Sequence, residues 1–200
     1  MPDEPLIAGF DVSGGGKAWN VIRFRRGLDG NPADLKPIRI PGEHDSDRSQ
    51  RVGICAELLR DRRPGKQIAA MFVDSAFGAV IVSRLRALGF QNVFEVNFGG
   101  HSPDPHCLNM RAYMWSKCKE WLLLGGLPKD ENLCQQLSLP GYHINNSGKL
   151  VIESKADIQA RGEASPDDAD ALCLTWAQSV AIQKPKYQPN SSRGSYTAWS

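Results

Sequence analysis

The sequence predicts an α/β fold in which a mixed sheet, an antiparallel meander continued by parallel strands, is flanked by helices. Two apolar runs are separated only by the glycine-rich stretch 13–17, which indicates a hairpin. The run 68–74 is apolar on both faces, as expected of a central strand covered by helices. Residues 68–97 follow the order strand, helix, strand, which the crossover rule makes a parallel unit.

The remaining elements follow from periodicity and from turn residues. After the strands 6–12 and 19–27, a third strand is expected over 35–40, and Pro37 places it at an edge because proline cannot donate to a ladder. The other predicted elements are helix 45–62, strand 68–74, helix 78–89, strand 92–97, helix 109–125, a short helix at 131–136, a hairpin of 142–144 with 149–153, helix 154–161, and a last helix starting at Ser165.

Length and composition indicate one globular domain, assigned to residues 1–183, followed by a tail over 184–200 that is expected to be disordered. Hydrophobic residues make up 41% of the chain and charged residues 23%, which is ordinary for such a domain. Without a long apolar run or a signal-peptide pattern, no membrane association is expected. The five cysteines form no C-x-x-C pair, so reduced thiols and no zinc site are predicted.

Charge gives little information about partners. The net charge of +2 is too small to require a nucleic-acid partner. Clustered arginines give weak support for phosphate contact, since most such clusters are solvated faces. They are Arg23, Arg25 and Arg26 in one stretch, and Arg48, Arg51, Arg60, Arg62 and Arg63 in the next.

Asp11 is anomalous because an ionised carboxylate in a buried strand is costly unless a cation satisfies it. A partner side chain or a metal could do so; alternatively, Asp11 starts the turn or binds the backbone amides of 14–16. A phosphate loop is excluded, because Asp11 stands where the Walker pattern needs its first glycine and Ala18 replaces the hydroxyl residue. A dinucleotide fingerprint is excluded because a strand, not a helix, follows.

Two further acidic positions stand out. Asp74 ends the central strand, and the last helix begins with Ser165, Pro166 and acidic residues, the pattern of a helix start. That pattern alone accounts for Asp167 and its neighbour, since acids favour the positive helix end. It does not account for Asp170, which projects from the same side as Asp167.

The order of elements matches the ribonuclease H-like fold, in which the first and fourth strands are neighbours. Asp11 and Asp74 would then lie side by side, and the last helix would bring Asp167 or Asp170 to the same point. Carboxylates gathered in this way repel one another unless divalent cations lie between them. Hard oxygen ligands favour Mg²⁺ or Mn²⁺ over zinc.

The motifs resemble those of the nuclease domain of phage terminase large subunits, and together they cover most of the chain in the right order. The stretch 9–16 is similar to the opening of that domain, 73–78 to its second acidic motif, and 153–172 is the strongest match, with 97–99 and 109–112 also fitting.

The resemblance implies a metal-dependent endonuclease that cuts concatemeric double-stranded viral DNA during genome packaging in the host cell cytoplasm. Asp11, Asp74 and Asp167 would be the catalytic metal ligands, with Asp170 as an alternative or additional one. The implied mechanism is two-metal hydrolysis with Mg²⁺ or Mn²⁺, in which one ion generates hydroxide and the other stabilises the leaving 3′ oxygen. Lys155 and Arg161 would hold this region or a phosphate, and a structural salt bridge is an equal alternative.

The implied partners are double-stranded DNA, a terminase ATPase domain, the small subunit and the portal. The sequence departs from whole large subunits in having no Walker loop, so we expect either the isolated nuclease domain or a chain whose motor lies elsewhere. A competing interpretation is a catalytically silent ribonuclease H-like module that binds DNA or packaging partners. A junction resolvase of the same fold would fit the acids but not the context of 165–172.

Overall fold

The structure is a computed structural model that describes residues 4–32, 35–42 and 48–181. A five-stranded sheet has the order β3-β2-β1-β4-β5. β1 pairs antiparallel with β2 and parallel with β4, so the two halves of the mixed sheet join at β1. This confirms the predicted sheet. Its strands are β1 Leu6–Asp11, β2 Trp19–Arg26, β3 Ile38–Pro41, β4 Ile68–Asp74 and β5 Val93–Val96.

Helices cover both faces of this sheet, and a small hairpin lies apart from it. The helices are α1 Arg48–Arg60, α2 Ser75–Ala87, α3 Met110–Trp121, α4 Glu131–Ser138, α5 Lys155–Ala160 and α6 Asp167–Cys173, which continues as the 3₁₀ turn Leu174–Trp176; the hairpin pairs β6 Tyr142–Ile144 with β7 Leu150–Ile152.

Several boundaries differ from the prediction for identifiable reasons. β3 begins directly after Pro37 and forms an edge strand, as expected. α2 begins at Ser75 rather than at Gly78, because the Asp74 carboxylate accepts a hydrogen bond from the Ala76 amide and caps the helix. The first residues of the predicted helix 45–62 and the predicted tail 184–200 lie outside the described residues.

The sheet separates two apolar clusters, and strand alternation decides which side chains enter each. Leu6, Ala8 and Phe10 of β1 pack with α1 and α2, whereas Ile7 packs with α3 and α6. Since successive side chains alternate, Asp11 shares the face of Ile7 and Gly9. The same parity places Asp74 on the face of Ala70 and Phe72, which also belong to the α3 and α6 side. Both carboxylates therefore face α6.

Gly9 allows α6 to lie close against β1. A Cβ atom at this position would overlap the carbonyl oxygen of Ala171 and approach the Leu174 side chain to 2.9 Å. Any larger residue would therefore push the last helix away from the strand that carries Asp11. A glycine two residues before the aspartate is thus part of how the fold assembles the acidic site.

The arginine clusters do not form solvated faces throughout, which corrects the sequence-based interpretation. Arg23 is only 2% exposed and Arg51 3% exposed. Arg51 donates to Asn20 Oδ1 at 3.0 Å, and Arg25 lies over the Trp176 ring and donates to Thr175. These arginines anchor elements inside the domain instead of presenting charge to a ligand.

All five cysteine thiols are free of disulfide bonds, and Cys134 alone among them is exposed. Within the described ranges, no helix is both long and apolar enough to cross a membrane.

Candidate metal centre

Asp11 and Asp74 end two hydrogen-bonded parallel strands. The register pairs Phe10 of β1 with Val73 of β4, so the aspartates that follow leave the sheet at the same edge. Their exposed fractions are 1% and 7%. The Oδ1 atom of Asp11 is buried and has no hydrogen-bond partner among the described residues. A buried carboxylate oxygen without a partner is costly, and a cation is one way to satisfy it.

The last helix brings Asp167 to this edge. Its Oδ2 atom accepts a hydrogen bond from the Trp19 amide at 2.8 Å, and the Ser165 hydroxyl donates to Oδ1. The sequence predicted a helix that starts at Ser165. In the structure the N-cap is Pro166, whose side chain cannot accept a hydrogen bond from the first helical amides. Instead, Gln136 Oε1 accepts from the amides of residues 168 and 169 at 2.8 and 3.2 Å.

Lys155, the first residue of α5, joins three of the acids. Its Nζ atom lies 2.7 Å from Asp11 Oδ2, 3.4 Å from Asp167 Oδ1 and 3.4 Å from Asp170 Oδ2. The Ser154 hydroxyl accepts from the Asp157 amide at 3.1 Å and caps α5, which fixes the start of the helix that carries this lysine. One ammonium group therefore compensates carboxylates from β1 and from α6.

Asp170 differs from the other acids because its oxygens are engaged by buried donors. Trp115 Nε1 donates to Oδ1 at 2.7 Å, and Arg111 donates from Nε at 3.2 Å and from Nη2 at 3.3 Å. Asp170 is fully buried. Because α6 begins at Asp167, Asp170 lies in its first turn, but its carboxylate points into the domain and pairs with α3.

The pKa shifts also distinguish Asp170 from Asp11 and Asp74. Burial raises the pKa of Asp11 well above its usual range, although the Lys155 ammonium opposes this, and burial also raises the pKa of Asp74. Burial acts on Asp170 too, but Arg111 and Lys155 outweigh it and lower the pKa of that carboxyl. The carboxylates in turn raise the pKa of Lys155 against the effect of its burial.

The residues fit a hard divalent cation by their donor chemistry, since they offer carboxylate oxygens and one of these, Asp11 Oδ1, has no partner. As they are placed, no group of three or more His, Cys, Asp or Glu side chains among residues 4–32, 35–42 and 48–181 could hold a metal ion. The Lys155 ammonium lies between Asp11 and Asp167. Joint ligation by Asp11, Asp74 and Asp167 or Asp170 stays a prediction.

A cleft of about 650 Å³ opens over these side chains. Its walls come from the β1–β2 turn, the start of α2, the loop before α3 and the start of α5. The lining includes Asp74, Phe77, Asn97, Lys155 and Asp167. Asp74 and Asp167 are therefore reached from the cleft, whereas Asp11 and Asp170 lie buried behind its lining.

Asp168 forms a separate charged network that the sequence analysis did not identify. Its carboxylate accepts from Arg23 Nε at 2.7 Å and from Arg39 Nε at 2.9 Å, and both arginines also reach Asp130. These contacts fasten α6 to β2, β3 and the start of α4. The alternating basic residues on β2 indicated that strand as one side of such a network. Nothing in the sequence near Arg23 identified Asp168, 145 positions away, as its partner.

Arg161 forms a structural salt bridge, one of the two alternatives predicted for it. Its Nε atom lies 2.9 Å from Glu153 Oε1, and its Nη2 donates to the Leu139 carbonyl oxygen at 2.9 Å. Arg111 also donates to the Glu153 carbonyl oxygen. Glu153, just before α5, is thus bound through its side chain by Arg161 and through its carbonyl oxygen by Arg111. Lys155 instead contacts the acids.

No protein-family model matches the sequence, and the comparison with curated proteins gives no match. Solved structures do match. The nuclease domain of the large terminase subunit of bacterial virus Sf6 aligns with a TM-score of 0.63 at 17% identity, covering 88% of this chain and 89% of that one. The large terminase nuclease of a thermophilic phage gives 0.56 at 18% identity, covering 89% and 84%. The nuclease domain from Thermus phage P74-26 gives 0.52 at 16% identity, covering 88% and 80%.

The chain has the fold of a terminase nuclease domain. This confirms the ribonuclease H-like prediction over nearly nine-tenths of its length. Related structures of the terminase nucleases hold metals: a lysine-to-alanine variant of the Sf6 domain is described with manganese, and the thermophilic phage nuclease with cobalt and with magnesium. At these identities the terminase-like fold is what the chain shares with them.

Proposed function

We propose that this chain is a metal-dependent endonuclease that cuts concatemeric double-stranded DNA while a viral genome is packaged in the host cytoplasm. The observation that carries the proposal is the convergence of Asp11, Asp167 and Asp170 on one lysine, beside Asp74. This convergence occurs at the carboxyl ends of β1 and β4, in the fold that terminase nucleases share.

Asp11, Asp74 and Asp167 would hold the cation. Asp74 and Asp167 line the cleft, and Asp11 follows the strand beside that of Asp74. Among the described residues, none of the three is paired with an arginine. Asp170 is a less suitable primary ligand, since Arg111 and Trp115 already occupy its oxygens. We assign it as a positioning residue that keeps Arg111 and the adjacent Lys155 in place. It would become an additional ligand only through its Oδ2 edge, which faces Lys155.

Mg²⁺ or Mn²⁺ bound there, with two ions in the full site, would supply Lewis-acid activation of water and stabilisation of the leaving 3′ oxygen. The protein's own groups orient the ligands. The Trp19 amide and the Ser165 hydroxyl fix the Asp167 carboxylate, and the Ala76 amide fixes that of Asp74. Lys155 compensates the acids and, at the cleft wall, can also approach a substrate phosphate.

The partners follow from the proposed reaction and from the resemblance. Double-stranded DNA is the substrate, and a terminase ATPase domain would move it. The small subunit and the portal are the further packaging partners. Since the sequence contains no Walker loop, the motor activity is assigned to a separate domain or chain.

Cleavage of supercoiled plasmid tests the proposal. With Mn²⁺ or Mg²⁺ the protein should nick and linearise the plasmid, and EDTA should abolish this. The matched control is Asp104→Asn, which changes an acid in the loop before α3 that pairs with His106. Plasmid binding without cleavage at any metal concentration would instead support the catalytically silent module.

A further inference from the structure

Phe77 is unusual because a large aromatic ring stands open to solvent at the wall of the acidic cleft. It is the third residue of α2, three positions after Asp74, and it is 52% exposed. Single exposed apolar residues are common on protein surfaces. This one, however, lines the same cavity as Asp74, Lys155 and Asp167.

The ring packs closely against Gly14 in the β1–β2 turn. A Cβ atom at residue 14 would come within 2.8 Å of both Cε atoms of Phe77 and nearer still to Cζ. Gly15 and Gly16 have φ angles of 104° and 67°, so the turn itself requires those two glycines. Gly14 has a different use, since it clears space for the far edge of the Phe77 ring.

The surroundings restrict what could cover this ring. The neighbouring carboxylates suit a cation, which would in turn bind a phosphodiester, whereas the ring offers a flat, uncharged surface at the wall of the same cleft. Nucleic acid presents both chemistries, because each phosphate joins two sugars and each sugar carries a base. Aromatic side chains in nucleic-acid sites stack on bases or wedge between base steps.

We propose that Phe77, supported by Gly14, forms a nucleobase subsite that packs against a base beside the scissile phosphate. This inference rests on the proposed nuclease function and adds a residue that recognises the substrate without contacting the reacting atoms. Stacking on the Phe77 ring does not depend on base identity, so it would secure the strand in the cleft without imposing a cut-site sequence.

Binding of a fluorescently labelled DNA duplex in Ca²⁺ tests the subsite, with anisotropy as the readout. Phe77→Ala should weaken binding roughly 5- to 100-fold, and Phe77→Tyr should change it less than about twofold. Phe77→Leu preserves an apolar contact with Gly14 but lacks the ring, so it should weaken binding as alanine does. Val80→Ala is the matched control, since Val80 is 40% exposed on the same helix and does not line the cleft.

A second substrate separates stacking from a structural effect. When a central run of bases in one strand is replaced by abasic sites, the Phe77→Ala and wild-type proteins should bind with the same affinity. The subsite is overturned if wild type cuts plasmid with Mn²⁺ but Phe77→Ala binds duplex as tightly as Val80→Ala. It is also overturned if the alanine effect persists on abasic DNA. Failure of the proposed function is distinct, because wild type would then not cut plasmid.

Discussion

The Nζ atom of Lys155 lies 2.7 Å from Oδ2 of Asp11, across 144 residues of sequence. The other oxygen of the same carboxylate is buried without a partner. One half of the Asp11 carboxylate is therefore compensated by a protein cation, and the other half is available.

Replacing Lys155 should make the stability of the protein depend on divalent cations. Lys155→Ala leaves Asp11, Asp167 and Asp170 without their shared counter-charge, so the melting temperature in EDTA should fall. Added Mn²⁺ should restore it by more than it stabilises wild type, because the ion would meet less competition. Lys117→Ala is the control, since Lys117 pairs only with exposed Glu120 among the contacts described. Equal Mn²⁺ shifts in both variants would contradict this account.

Neutralising Asp11 or Asp74 should abolish cleavage without unfolding the protein. Burial raises the pKa of both carboxyls, which means that the folded state disfavours their charge. Asp11→Asn and Asp74→Asn should therefore melt at the wild-type temperature or above it in EDTA. Plasmid cleavage and thermal melting measure the two effects. Undiminished cutting by both variants would falsify the ligand assignment.

Asp167 and Asp170 should separate into a ligand and a positioning residue. Asp167→Asn should eliminate cleavage with little change in stability, because its contacts are one amide and one hydroxyl besides Lys155. Asp170→Asn leaves Arg111 without its buried partner, and the free energy of unfolding should fall by roughly 3–5 kcal/mol. Cleavage should be partly retained where the variant remains folded. The opposite pattern would make Asp170 the ligand.

Much of the fold was predictable because it depends on local patterns. Apolar runs, the glycine turn and Pro37 predicted the strands. The order of the strands in the matching fold then predicted that Asp11 lies beside Asp74, as the pairing of β1 with β4 shows. Contacts between distant residues were not predictable. The Arg111–Asp170 pair joins residues 59 positions apart, and Gln136 caps α6 from 32 positions away. Nothing in the sequence near Lys155 showed that its ammonium would lie between two of the predicted ligands.

Asp168 should matter for stability and not for chemistry. Asp168→Asn removes a charge that two arginines share, one of them buried, and should cost roughly 3–5 kcal/mol of unfolding free energy. Its Mn²⁺-dependent cleavage per folded molecule should match wild type, since Asp168 does not line the cleft. Denaturant titration and plasmid assays below the transition check both parts. A complete loss of cleavage by the folded variant would place Asp168 in the site.

Gly9→Ala should damage both stability and activity, because the new Cβ would overlap the Ala171 carbonyl oxygen and move α6. The expected loss is roughly 1–3 kcal/mol, the usual cost of overpacking a close contact. Gly53→Ala is a matched control within α1. No described residue outside the helix lies within 4 Å of a new Cβ there, so this change should stabilise the protein by about 0.5–1 kcal/mol. Equal melting temperatures for both variants would show that α6 does not depend on Gly9.

Anomalous diffraction from a crystal soaked in Mn²⁺ tests the central claim directly. We expect manganese, up to two ions, bound by oxygens of Asp11, Asp74 and Asp167 at distances slightly longer than the roughly 2.0–2.2 Å expected for Mg²⁺, with the Lys155 ammonium displaced from Asp11. Soaked crystals with no manganese at these three residues, and with Lys155 still bound to Asp11, would contradict it.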